Sequence, residues 1–506
     1  MSTTEVVPEV DVVIVGAGLS GIGAACRLQQ ECPDRSYAIL EARDAIGGTW
    51  DLFRYPGIRS DSDMFTLSYP FRPWRDPKAI ADGPAILRYV EETAAEYDVE
   101  RHIRFRTKVL AADWSTEDSL WTLTLAKTAA GGTTTQTTTT CRFLYSCAGY
   151  YDYDQGHEPV FPGLEDFTGE VVRPQFWPED LDHRDQRVVI IGSGATAVTL
   201  VPSMADDAAH VTMLQRSPTW ITSLPARDPV ADKIRAARPA GLAHRVIRGK
   251  NIVTQQVFYQ FCRTQPRLAR RVLSAAVAKS LGDPGLVDPH FTPTYDPWDQ
   301  RFCIVPDGDL FRAIRKGSVD VVTDQIDTFV PEGIRLRSGR VLEADIVVTA
   351  TGLKLLAFGG IEPSVDGVPV DLREQFVWQG AMVTGLPNFA VCIGYTNASW
   401  TLRADLTSRL VCKVLNEMRR RRAVSVVPEP DQALEPRPMI DLASGYVQRS
   451  IDQFPRQGHR GPWRVRQNYL LDSALTLRRD LSRTLRFGTA PVVEVRAPAS
   501  LETSGT

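Results

Sequence analysis

The chain has 506 residues, 43% of them hydrophobic, with 58 Lys and Arg against 61 Asp and Glu for a formal net charge of −3. That length exceeds one core and points to two or three domains, and the charge balance gives no general attraction to nucleic acid. Residues 1–10 lack a basic cluster and an apolar run, no later run is long enough to span a bilayer, and the eight cysteines include no Cys-x-x-Cys; a leader, a membrane span, a disulfide scaffold, a zinc site and a redox dithiol are not expected, and a cytoplasmic protein is.

Val12, Val13, Ile14 and Val15 read as a buried parallel strand that runs directly into Gly16, Gly18 and Gly21, the GxGxxG spacing. Gly16 permits the tight turn and Gly18 lets a pyrophosphate approach bare N–H groups. Gly21 lets the next helix, marked by Ala24, Ala25 and Leu28, pack close on the strand. A second strand, 37–40, delivers Glu41 twenty residues after Gly21, where a carboxylate accepts hydrogen bonds from ribose hydroxyls. GxGxxG alone also describes an ordinary glycine-rich turn; strand, helix, strand and acid in series point to a bound dinucleotide.

The next block contains Gly47, Gly48, Thr49, Trp50 and Asp51, followed by Tyr55, Pro56, Gly57, Arg59 and Asp61. Gly-Gly-x-Trp followed by Tyr-Pro-Gly and a later Asp resembles the Baeyer–Villiger monooxygenases, a branch of the flavin-containing monooxygenases. The resemblance implies that the first dinucleotide is FAD, bound by Gly16, Gly18, Gly21, Glu41, Gly48, Thr49, Trp50 and Asp61.

Beyond Asp61, a polar loop leads to a helix expected over 84–97, with Ile86, Leu87 and Val90 on one face. Alternating patterns at 103–109, 121–125 and 142–147 predict a β-meander, with the Thr-rich run 133–140 as a hairpin loop. Residues 151–185, rich in Pro, Asp and aromatics, read as a linker. Within it Phe167, Gly169, Arg173, Trp177 and Pro178 match the family fingerprint Phe-x-Gly-x-x-x-His-x-x-x-Trp-Pro, except that Arg173 stands where the family has His. A position in this linker is expected to set domain orientation, with a neutral surface swap as the alternative.

A second apolar strand, 188–191, enters Gly192, Gly194 and Ala197, a GxGxxA turn, and a strand over 211–214 ends in Gln215 and Arg216. Two such folds imply two dinucleotides. Arg216 occupies the place of Glu41, and a guanidinium there favours a 2′-phosphate, so the second nucleotide is expected to be NADPH, unless Arg216 is only a surface charge. The span 233–281 holds eleven Lys or Arg and no Asp or Glu, with helical apolar spacing. It reads as a helical insertion. Attraction to an acidic membrane surface is one reading; the favoured one is a lobe whose basic face is paired by acids elsewhere.

Further on, Arg301 falls where the family places its active-site arginine, and Ala350, Thr351 and Gly352 resemble the crossing back to the flavin domain. Residues 387–394 are expected to supply that domain's last strand. Tyr395, Asn397 and Trp400 sit in a loop expected beside the substrate, and a helix is expected over 402–422. The fold class is therefore α/β, with two Rossmann-like dinucleotide-binding domains, for FAD and NADPH, and a helical insertion at about 230–295. The expected divisions are an FAD-binding domain at 1–150 and 353–425, a linker at 151–186, an NADPH-binding domain at 187–352, and a tail at 426–506 wrapping both.

The resemblance covers roughly 480 residues and is nearest to the ethionamide-activating subgroup, judged by Asp61-Ser62-Asp63-Met64, the Arg301 segment and 394–400. It implies oxygen insertion beside a ketone carbonyl, giving an ester or lactone through a flavin peroxide, with NADPH and molecular oxygen consumed. Arg301 would stabilise the anion and Asp61 would orient Arg301. Oxidation of a sulfide, thioamide or other heteroatom is the alternative; an uncoupled NADPH oxidase or a non-oxygenating reductase comes lower, since a reductase calls for a dithiol that the chain lacks.

Overall fold

The computed structural model describes residues 9–478 and 480–489. Val12, Val13 and Ile14 are fully buried, as a strand with parallel neighbours and two covered faces must be. This strand, β1 (Val10–Val15), leads to helix α1 (Leu19–Glu31) and strand β2 (Tyr37–Leu40), which pairs with β1 in parallel, Val12 opposite Tyr37. Helix α2 (Gly83–Glu96) starts on Asp82, whose carboxylate accepts from the Ala85 N–H, with Pro84 in the first turn.

The meander follows as β3 (Thr107–Ser115), β4 (Leu120–Thr128) and β5 (Thr134–Ser146), antiparallel to one another. The Thr-rich run is not the hairpin loop that was expected. Thr134–Thr140 belong to β5, because β-branched threonines suit an extended, half-solvated edge, and the turn is made by Ala129–Thr133, with Gly131 and Gly132 inside it. The pattern at 103–109 also splits: Ile103–Arg104 pairs with β2, and β3 begins only at Thr107, after Arg106 at φ +53°. β5 closes back on β1 in parallel, Val12 opposite Phe143.

A separate five-stranded sheet carries the second nucleotide unit. It contains β6 (Glu170–Val172), β7 (Arg187–Ile191) followed by α3 (Ala195–Met204), and β8 (His210–Gln215). Helices α4 (Pro229–Ala237), α5 (Ala240–Thr264) and α6 (Pro266–Leu281) are the insertion. The chain returns through β9 (Cys303–Pro306), α7 (Asp309–Lys316), β10 (Val319–Thr323) and β11 (Ile346–Thr349). The order β10-β8-β7-β11-β6 is parallel throughout. The fingerprint segment, read as a linker, thus supplies the edge strand β6.

Strand β12 (Phe389–Val391) adds to β5 of the first sheet, and helix α8 (Trp400–Arg421) packs against α1, tied by Arg27 Nε to Asp405 at 2.7 Å. The C-terminal segment does more than wrap: β13 (Ala423–Pro428) pairs with β14 (Leu485–Thr489), and α9 (Tyr469–Arg478) lies between them in sequence. Residues 490–506 of the expected tail, and 1–8 of the amino terminus, lie outside the described residues. Among the described residues no helix is long and apolar enough to cross a membrane, and all eight cysteines are buried and free.

Candidate functional site

One cavity of about 1030 Å³ runs from the first glycine turn to the second and contains Arg301 and Asp61 between them. It slightly exceeds the roughly 300–1,000 Å³ typical of a site for one small ligand.

At the first turn, Gly16 has φ +99°, and a Cβ at Gly21 would stand 1.8 Å from the Gly16 carbonyl oxygen, so only glycine lets α1 sit this close to β1. Gly47 donates its N–H to the Ala17 carbonyl at 3.1 Å, which lays Gly48 (φ +58°) against Gly18. Glu41, at the end of β2, is 6% exposed; its carboxylate accepts from the Ala17 N–H at 2.6 Å and the Arg43 N–H at 2.8 Å. Burial pushes its carboxyl above the ordinary value. Thr49 opens a short helical turn and meets the Tyr153 hydroxyl at 3.1 Å, while Trp50 is half-buried against the first core. Of these, Gly16, Gly18, Glu41, Gly47, Gly48, Thr49, Trp50 and Tyr153 line the cavity, and Gly21 does not.

Asp61 and Arg301 come from segments 240 positions apart. Arg301 donates to the same oxygen, Asp61 Oδ2, from Nη2 at 2.8 Å and from Nε at 3.2 Å. The two side chains are 34% and 26% exposed for Arg301 and Asp61, so the pair is walled by protein yet open to the cavity. The Asp61 charge holds the Arg301 pKa well above its usual value. Burial pushes the phenols of Tyr446, Tyr150 and Tyr151 up, Tyr151 to about 12, so each is a neutral hydrogen-bonding group near pH 7. Arg59, also on the cavity wall, pairs with Asp309 at the start of α7 and so fastens the first nucleotide unit to the second.

The second turn is more open. Gly192 (φ +144°) is needed because a Cβ there would stand 2.4 Å from the Ala350 carbonyl oxygen, and Ala197 is fully buried. A Cβ at Gly194, by contrast, would meet nothing within 4 Å. Arg216 is exposed at the end of β8, lines the cavity and has no ion pair among the described residues. Arg337, exposed on the same wall, also has none.

The remaining expected residues divide. Phe167 is 9% exposed and packs on Phe329; a Cβ at Gly169 would stand 2.4 Å from the Asp345 carbonyl oxygen; Trp177 and Pro178 are half-buried. Arg173 is exposed, pairs with Glu158 and does not reach the cavity. In the loop, Tyr395 and Trp400 line the cavity, but the Tyr395 hydroxyl donates to Asp472 at 2.8 Å and the Trp400 indole N–H to Ser20 Oγ at 2.7 Å. Asn397 does not line it: its amide nitrogen donates to the Gln467 carbonyl at 2.9 Å, fastening the loop to the C-terminal segment.

Sequence reading missed Tyr446, Ser444 and Arg449, which reach the cavity from a short helical turn of the C-terminal segment, Ser444 Oγ lying 3.4 Å from the Arg301 N–H. It named Arg59 only within the Tyr-Pro-Gly block and missed Arg337, Tyr150 and Tyr151. The Arg301–Ser444 contact spans 143 positions with no motif at its far end, whereas the Tyr150–Tyr151 pair directly follows the Ser146–Gly149 turn and was open to notice.

A family model described as flavin-binding monooxygenase-like matches residues 9–229. The FAD-containing monooxygenase EthA of Mycobacterium tuberculosis H37Rv is 52% identical over 484 residues, covering 95% of this chain and 98% of EthA. The probable FAD-binding monooxygenase AlmA of Acinetobacter baylyi is 48% identical over 467 residues, covering 92% and 93%. Among solved structures, an oxidised steroid monooxygenase bound to NADP superposes with TM-score 0.72 at 21% identity, and an open form of cyclohexanone monooxygenase with 0.70 at 19%, each covering 95% of this chain and 99% of the other. At such identities these two establish the shared fold.

Proposed function

This chain belongs to the flavin-binding monooxygenase family, and from that premise we propose that it uses FAD, NADPH and molecular oxygen to insert one oxygen atom beside a ketone carbonyl. The observation that carries this reading is the Arg301–Asp61 pair in one cavity between the two glycine turns.

The residues present fit both nucleotides. Gly16, Gly18 and Gly48 leave backbone bare where a pyrophosphate would lie, Thr49 and Trp50 flank it, and Glu41 stands at the ribose end. At the other end Gly192, Gly194 and Ala197 form the second turn, and Arg216 and Arg337 offer exposed guanidinium groups to a 2′-phosphate. When bound, FAD reduced by NADPH supplies the activation of oxygen.

The chain's own contribution is electrostatic. Addition of a nucleophilic oxygen to a carbonyl places negative charge on the substrate oxygen, and Arg301 is a fixed cation facing that space. Asp61 keeps its guanidinium in place, since one carboxylate oxygen receives two of its N–H groups. The neutral phenols of Tyr150, Tyr151 and Tyr446 border the pair and add hydrogen-bonding capacity without a competing charge. The ring of Trp400, 5.3 Å from that of Tyr150, helps exclude water. A carbon then migrates from the carbonyl carbon to the added oxygen as that oxygen's O–O bond breaks, giving the ester or lactone, while the second oxygen atom leaves at the oxidation level of water with the electrons that NADPH supplied.

Heteroatom oxidation is the second reading, on the ground that a cation flanked by phenols in a large cavity also receives a sulfide. Assaying a ketone and a sulfide of matched shape, with product counted per NADPH consumed, separates them. Ester in the higher ratio supports the proposal; sulfoxide alone would replace it.

A further inference from the structure

Helices α5 and α6 are amphipathic in an unusual sense, because their outer faces are also apolar. Inward, Ile247 of α5 and Leu273 of α6 are buried. Outward on α5, Leu242, Val246, Val253 and Val257 fall within an arc of about 60° at 3.6 residues per turn, and are 46, 45, 48 and 62% exposed. On α6, Leu268 and Val272 repeat the i, i+4 spacing at 48 and 51%. Seven of the fifteen exposed large hydrophobic side chains among the described residues lie between 230 and 272, so this exposure is concentrated, and such patches mark interaction sites.

From Lys233, on α4, to the end of α6 the chain carries no Asp or Glu. Of the eleven Lys and Arg between 233 and 281, Lys250, Arg263 and Arg270 pair with Asp228, Asp299 and Asp296. Arg248 is buried on backbone carbonyls, and Arg235 reaches those of Trp74 and Asp76. The other six, Lys233, Arg238, Arg245, Arg267, Arg271 and Lys279, are exposed and have no ion pair among the described residues. Pairing by acids elsewhere therefore accounts for three of eleven.

We propose that the outer face of α5 and α6 docks on an anionic lipid bilayer, lying in the plane of its surface. Leucine and valine on one stripe, flanked by unneutralised Lys and Arg, are what burial at a headgroup boundary requires. A second copy of the same chain would bring like charge against like charge. Neither described cavity is lined by α5 or α6, so neither seats an acidic peptide against them, and a fluid bilayer needs no groove. The proposal is independent of the substrate reading.

The test is co-sedimentation of the flavin-loaded full chain with vesicles of phosphatidylcholine, pure or mixed with phosphatidylglycerol. Binding is expected only to the mixed vesicles, with release when ionic strength rises from about 0.05 to about 0.5 M and the Debye length shortens several-fold. Arg267→Glu with Arg271→Glu is expected to weaken partition by at least about fivefold per position, and Val253→Asp with Val257→Asp by tenfold or more. All four positions are exposed, and unchanged flavin content and melting temperature would verify folding. Absence of binding to mixed vesicles at low salt, or unchanged partition of both folded variants, overturns the proposal. So would a shift of the valine variant from dimer to monomer in sedimentation velocity with vesicle binding intact, which would assign the face to self-association.

Discussion

At the first glycine turn the acid at the end of the second strand is sealed: Glu41 is 6% exposed and both of its carboxylate oxygens already accept backbone N–H groups. At the second turn the corresponding residue, Arg216, is exposed and has no ion pair among the described residues, and the central glycine, Gly194, faces open space where Gly18 faces Gly48. The same local pattern thus builds two different seats. A pre-formed, internally satisfied pocket loses little on binding and suits a resident group, while exposed cations and an open turn suit a nucleotide that comes and goes with each turnover.

If that contrast is right, substitutions at a tightly packed glycine of the first turn and at the open glycine of the second must separate sharply. Gly21→Ala forces a Cβ to within 1.8 Å of the Gly16 oxygen; the expected loss exceeds about 3 kcal/mol, seen as colourless or aggregated protein after FAD is supplied. Gly194→Ala meets nothing within 4 Å, so its melting temperature should be unchanged and only the KM for NADPH should rise. Equal stability of the two variants would erase the distinction between the seats.

Arg301→Ala probes the space between them. Both nucleotide seats remain, so stopped-flow reduction of FAD by NADPH should proceed at near the wild-type rate, while ketone oxygenation falls by about 10²–10³-fold. Ester formation at the wild-type rate would remove Arg301 from the chemistry.

The open seat predicts a smaller, selective effect. Arg216→Ala should raise the KM for NADPH by about 10- to 100-fold, the size of a lost charge-assisted contact, and leave NADH nearly unaffected. Parallel changes for both nucleotides would make Arg216 a surface charge.

The smallest effect is expected at Arg173, whose side chain is exposed and pairs with an exposed Glu158, neither of them lining the cavity. Exposed pairs contribute little, so Arg173→His should change NADPH-to-product coupling by less than about twofold between pH 6 and 9. A marked gain would restore a role for this position in domain orientation.

What the sequence disclosed follows from the range of the forces involved. Gly16, Gly18, Gly21 and Glu41 were legible because turn sterics and strand–helix spacing act over a few residues, and the same holds for the Gly192 turn. Asp61 and Arg301 were named only through family resemblance; nothing local announces that residues 240 positions apart share a hydrogen bond. Tyr446 and Ser444 were invisible because a C-terminal segment without periodicity delivers them, and Asn397 was placed at the substrate although Gln467 holds it elsewhere. The Thr-rich run misled in the opposite direction, since low complexity suggested a loop where β-branching made a strand.

The proposed activity transfers one atom of molecular oxygen to a carbonyl substrate. Incubating the FAD-loaded protein with NADPH, a ketone and isotopically labelled oxygen gas, then weighing the product by mass spectrometry, tests it directly. The account predicts an ester or lactone carrying one labelled oxygen atom for each NADPH consumed. Unlabelled ketone recovered intact, with NADPH consumed and hydrogen peroxide released in equal amount, would contradict it.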